Sequence, residues 1–64
     1  MKQPHYRPVV IAHKSGYFAT VEDRMGNRIL MVYPAFRSEE QAQKSAIAAA
    51  RNLELRMDIL VQNN

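Results

Sequence analysis

Only two glycines interrupt this 64-residue chain, and each sits between runs of β-branched or aromatic residues. Gly16 closes the short turn "KSG". Gly26 lies in a second turn, "DRMGN". Turn residues at that spacing cut the first half into short extended segments, because neither run is long enough for a stable helix. The segments fall at about 8–13 ("PVVIAH"), 17–22 ("YFATVE") and 28–33 ("RILMVY"), the last stopped by Pro34. An antiparallel meander is the simplest way to join them. Residues 1–7 form an N-terminal arm.

The pattern changes at Ser38. In "SEEQ" the serine hydroxyl can accept a backbone N–H, and Gln41 can reach back, which is the signature of a helix start. Glu39 and Glu40 suit the positive end of the helix dipole. Ala42, Ala46, Ala49, Ala50 and Leu53 share one arc of the helical wheel, with Glu40, Lys44 and Arg51 opposite. A helix is expected over about 38–52, its alanine stripe laid close against the sheet.

The tail admits two readings. Ala49, Leu53, Met57 and Leu60 would carry the stripe onward as helix. Yet Leu53, Leu55, Met57, Ile59 and Val61 occupy every odd position, separated by Glu54, Arg56 and Asp58. On a strand that set makes one clean face, and Asn52 is a reasonable helix terminator. The alternation favours a fourth strand at about 54–61. The expectation is therefore one α+β domain over 1–64, βββαβ, with a mostly antiparallel four-stranded sheet and one helix on one face. A right-handed crossover would set strand four beside strand one, giving the order 3-2-1-4 with strand one central.

One helix covers one sheet face. The other would show apolar side chains from strands one, two and three, an unusual surface for a monomer. The chain has no cysteine and lies near the lower size limit for a core to fold alone, so partner binding or a homodimer would add stability. Its hydrophobic residues (47%) and charged residues (23%) are in the proportions of a globular domain. Apolar runs of five residues are too short to span a membrane, and "MKQPHYRP" has no apolar signal core. A cytoplasmic protein without membrane association is expected.

The first functional expectation is a small non-enzymatic protein-interaction or regulatory module, docking through the open face with Tyr17, Phe18, Met31 and Tyr33. The alternative follows from the net charge of +3. Arg7, Arg24, Arg28 and Arg51, with Lys14, could form a DNA- or RNA-binding surface, the arginines gathered toward one end of the sheet. Glu22, Asp23 and Glu54 fall at that same end and could neutralise them in ion pairs.

Catalytic signatures are missing from the sequence. His5 and His13 should lie at opposite ends of strand one, which separates them as metal ligands. Ser15 near His13 lacks an orienting acid, and turn chemistry accounts for it. Neither glycine belongs to a phosphate-cradling motif. No enzyme activity, cofactor, metal or small-molecule substrate is expected.

"YRPVVIAHKSGYFATVED" and "SEEQAQKSAIAAARNLEL" together resemble the small antitoxin domain of the HicB family, a truncated RNase H-like fold without the nuclease carboxylates. The resemblance implies a toxin-like protein partner and self-association. It does not extend to "DRMGNRILMVYPAF", and no segment corresponds to the DNA-binding appendage of such proteins. Phage-type inhibitors of host machinery share the size and element pattern.

Overall fold

The three extended segments form strands β1 (Tyr6–His13), β2 (Gly16–Asp23) and β3 (Arg28–Phe36), followed by one helix, α1 (Glu39–Gln62). These come from a computed structural model, which describes residues 4–62 and, of the side chains, those of residues 4–57. The sheet is three-stranded and antiparallel in the order β1-β2-β3. Strand β2 is central, and its Ala19, Thr20 and Val21 are completely buried.

The turns follow from their residues. His13 pairs with Gly16 across the two-residue turn Lys14–Ser15. Gly16 has φ +134°, and a Cβ there would collide with the Phe36 carbonyl oxygen, so only glycine fits. In the second turn the Gly26 amide donates to the Asp23 carbonyl at 3.1 Å. Asp23 Oδ1 also accepts the Met25 and Asn27 amides, both at 2.9 Å, as aspartate commonly does in turns. Strand β3 carries two irregularities in register, opposite Tyr17/Ala19 and Val21/Glu22, and a cis Tyr33–Pro34 bond.

The helix starts as its sequence dictates, with the Ser38 hydroxyl accepting the Gln41 amide at 3.4 Å in the manner of an N-cap. It runs back across the sheet, and Ala42 and Ala46 pack on Ala19. Val10, Tyr17, Val32 and Phe36 close around that contact. The fully buried apolar residues are small: Ala19, Val21, Ala42, Ala46 and, nearly so, Ala50. Such side chains let a helix approach closely but supply little apolar area each.

The four-stranded expectation is corrected on two counts. First, residues 54–61 are helix, and α1 continues unbroken through Asn52. The line Ala42–Ala46–Ala50 extends through half-buried Leu53 and Met57 at helical spacing. Leu, Glu, Arg and Met all favour helix, and neither glycine nor proline follows Pro34 to stop it. Arg56 therefore belongs to the helix.

Second, the order 3-2-1-4 gives way to β1-β2-β3, because β1 is an edge with few free backbone groups. In a two-residue hairpin the flanking pair is hydrogen-bonded, so amides of β1 alternate inward and outward from His13. Tyr6, Pro8, Val10 and Ala12 then face the edge. Pro8 has no amide to give. The Tyr6 amide donates to Glu54 Oε1 at 2.8 Å. Pro8 thus leaves a gap in the row of donors a fourth strand would need, and with the tail helical Glu54 takes the Tyr6 position. Strand one is an edge strand, and "VVIA" is apolar on both sides because Val10 faces the helix while Val9 and Ile11 face away.

Candidate functional site

Antiparallel register divides the sheet into two faces. Pro8, Val10, Ala12, Tyr17, Ala19, Val21, Leu30, Val32 and Phe36 share the helix side. The opposite face carries Arg7, Val9, Ile11 and His13 from β1, then Phe18, Thr20 and Glu22 from β2, with Arg28, Met31 and Tyr33 from β3. No described element covers this second face.

Its centre is apolar. Thr20, flanked in the register by Val9 and Met31, is wholly buried, and its hydroxyl donates to the Val9 carbonyl at 3.1 Å. Phe18 meets the His13 ring edge-on at 5.7 Å and the Tyr33 ring at 5.6 Å. Edge-to-face contacts of this kind are favourable, and they make an aromatic row across all three strands. Tyr33 is 71% exposed and Ile29 45%. At one end lies charge: Arg7 donates to Glu22 at 2.6 Å, and Arg28 sits opposite Glu22.

Of the residues expected to make the apolar contact, Phe18, Met31 and Tyr33 do come together here. Tyr17 does not, since its side chain points to the helix and closes the core. The parity of β2 decides this, and sequence alone did not say which parity the helix would take. His13 belongs to the row and was expected only as a strand end. Its Nδ1 accepts the Ser15 amide at 3.2 Å, so the serine does serve the turn.

The cationic residues scatter. Arg7 and Arg28 lie on the open face at one end, with Arg24 in the adjoining turn. Lys14 occupies the hairpin turn at the other end, about 23 Å away at the rise of an extended strand. Arg51 is exposed in the middle of the helix, on the other side of the sheet. Arg7 is engaged by Glu22, and Arg24 Nε donates to the Pro4 carbonyl at 3.3 Å. These five do not make one continuous surface.

A shallow hollow of about 440 Å³ lies between residues 4–8 and Asp23–Arg24. His5, the Tyr6 amide, Arg7 and Asp23, all along its lining, are already engaged. His5 Nδ1 donates to Glu54 Oε2 at 3.1 Å, beside the bond from the Tyr6 amide to Oε1. Partial burial pushes the Glu54 carboxyl upward, but the bonds from His5 and Tyr6 more than offset it, leaving the group below its ordinary range. The Asn27 amide above all, with the Met25 amide, holds Asp23 low as well, against an opposing push from desolvation. Both carboxylates are thus acceptors holding backbone in place, the opposite of groups poised to exchange protons. Among the described residues no group of three His, Cys, Asp or Glu is arranged to hold a metal ion. No described helix is long and apolar enough to cross a membrane.

No protein-family model, curated protein or solved structure matches this chain.

Proposed function

We propose that this chain is a small non-enzymatic interaction module that docks a protein partner on the open sheet face. The observation that carries the reading is the division of side chains between the two faces. The helix side closes a core around Ala19, Ala42 and Ala46 with Val10, Tyr17, Val32 and Phe36, while Val9, Ile11, Phe18, Met31 and Tyr33 gather on the side that nothing described covers. Helix and sheet already make two packed layers, and the apolar row on the far side of the sheet is left for a partner to cover.

The occupant that fits is a protein with an apolar contact surface and an acidic rim. Arg7 and Glu22 offset one another at the charged end, and Arg28 remains as the excess cation on that face. An acidic rim complements it and steers the encounter. Regulation or inhibition of a larger protein, including the antitoxin-like role that the family resemblance implied, belongs to this reading.

Capture from lysate with three forms of the chain tests it: the natural sequence, Ile11→Asp on the open face and Arg51→Glu on the helix. Circular dichroism establishes that each form is folded. A partner retained by Arg51→Glu and lost with Ile11→Asp, with or without nuclease, is the expected result. Capture indifferent to Ile11→Asp overturns the reading. Capture lost on nuclease treatment and on Arg51→Glu also overturns it, in favour of a nucleic-acid partner.

A further inference from the structure

We infer that two copies of this chain pair through their β3 edges, over residues 29–33, to make a closed dimer with one continuous six-stranded sheet. The inference concerns a strand edge, not the open face, and stands independently of the partner docked there.

The two edges of the sheet differ. Strand β1 is blunted by Pro8, by the Glu54 carboxylate on the Tyr6 amide, and by the helix packed over it, which are common ways to protect an edge. Among the described residues, strand β3 has no such protection from Leu30 to Val32, between its two register breaks. The odd residues of β2 bond toward β3, because its even residues bond toward β1. Leu30 and Val32 therefore turn their backbone groups inward, opposite Val21 and Ala19, and Met31 and Tyr33 turn theirs outward. Side chains along the same stretch are open: Ile29 45%, Leu30 40% and Tyr33 71% exposed. Leu30 is exposed although it lies on the helix side, since the helix sits over β1 and β2.

A second copy of the same strand is the occupant this edge fits. An antiparallel two-fold pairing centred on Met31 sets Ile29 against Tyr33 of the other copy and Leu30 against Val32. Met31 meets its own counterpart. Every seam position is apolar. Arg28 comes opposite Pro34 and not opposite a second Arg28, so no like charges meet. The window also closes itself. The register breaks at Arg28–Leu30 at one end and at Val32–Phe36 at the other. The outer edges of the joined sheet are then the two blunted β1 strands, which halts growth at two copies.

The chain lacks cysteine, so a single introduced thiol reports the register. Directly opposed residues of a hydrogen-bonded antiparallel pair stand about 5.5 Å apart at Cα, within disulfide reach. Sedimentation of the natural chain at micromolar concentration is expected to give twice the monomer mass. Met31→Cys should link into a covalent dimer on mild oxidation. Tyr33→Cys, whose counterpart is Ile29, should not. Met31→Pro removes an outward amide and should halve the sedimenting mass. A natural chain that stays monomeric overturns the inference. So does a dimer that links no better at Met31→Cys than at Tyr33→Cys, whatever Met31→Pro does to folding.

Discussion

Glu54, about four turns into the helix, accepts the backbone amide of Tyr6 at 2.8 Å while its second oxygen takes the His5 ring nitrogen at 3.1 Å. One carboxylate thereby ties the helix to the start of the first strand across 48 residues of sequence. It also occupies an edge amide that a fourth strand would need. Helix residues 39–54 rise about 23 Å, the length of β1. The helix continues beyond that length to Gln62, in a molecule whose longest dimension is 44 Å.

This latch predicts an acid-dependent stability. Glu54 is held below its ordinary value of 4.5 in the folded chain. Its contribution is therefore complete above that pH and is lost as the pH falls through the lower, folded value. Glu54→Gln should flatten the fall in melting temperature below pH 4.5 without abolishing it, because Asp23 is held low in the same way. Thermal melts across that range check it. Equal pH dependence in the two proteins would count against the latch.

Gly16→Ala should be among the most damaging single-methyl changes. The added carbon meets backbone at Phe36, and φ +134° is a conformation that side chains rarely adopt. A loss of more than about 1 kcal/mol is expected in chemical denaturation. Gly26→Ala is milder, because its φ of +85° is also unfavourable but nothing lies within 4 Å.

The alanine contact between helix and sheet leaves no room for growth. Ala46 is completely buried against Ala19 and Ala42. Ala46→Leu should therefore destabilise by about 1–3 kcal/mol through overpacking, although leucine is a good helix former. Ala48→Leu, at an exposed position of the same helix, should change stability little. Denaturant midpoints for the pair separate packing from propensity.

Proline at Leu55 distinguishes the two readings of the tail. Leu55 is 55% exposed, so its side chain contributes little packing. In a helix the substitution costs about 3 kcal/mol or more, by removing one intrahelical bond and clashing with the preceding turn. Loss of helical circular dichroism, larger than for Leu55→Ala, is the expected outcome.

Much of the first half was legible because turn chemistry is local. Gly16, Asp23 and Gly26 announce their reversals, and Ser38 announces the helix. The tail was not, because residues 53–61 satisfy two periods at once. Leu53 and Met57 continue the stripe begun at Ala42, while every odd residue is also apolar. The helical reading is held by packing of Leu53 and Met57 and by the Glu54 bond to Tyr6, neither of which local pattern shows. Face parity was equally hidden. Tyr17 and Phe18 are adjacent aromatics, and which of them enters the core depends on the side the helix takes. The arginines scatter for the same reason, since Arg51 follows the helix and Lys14 the far turn.

Backbone chemical shifts and amide contacts by NMR test the central claim most directly: that the sheet stops at three strands and that, among the described residues, no fourth strand joins its β1 edge. The account predicts helical shifts without a break from Glu39 through residues 54–61, with the Tyr6 amide close to the Glu54 side chain. Extended shifts over 54–61, accompanied by cross-strand contacts to Val10 and Ala12, would contradict it.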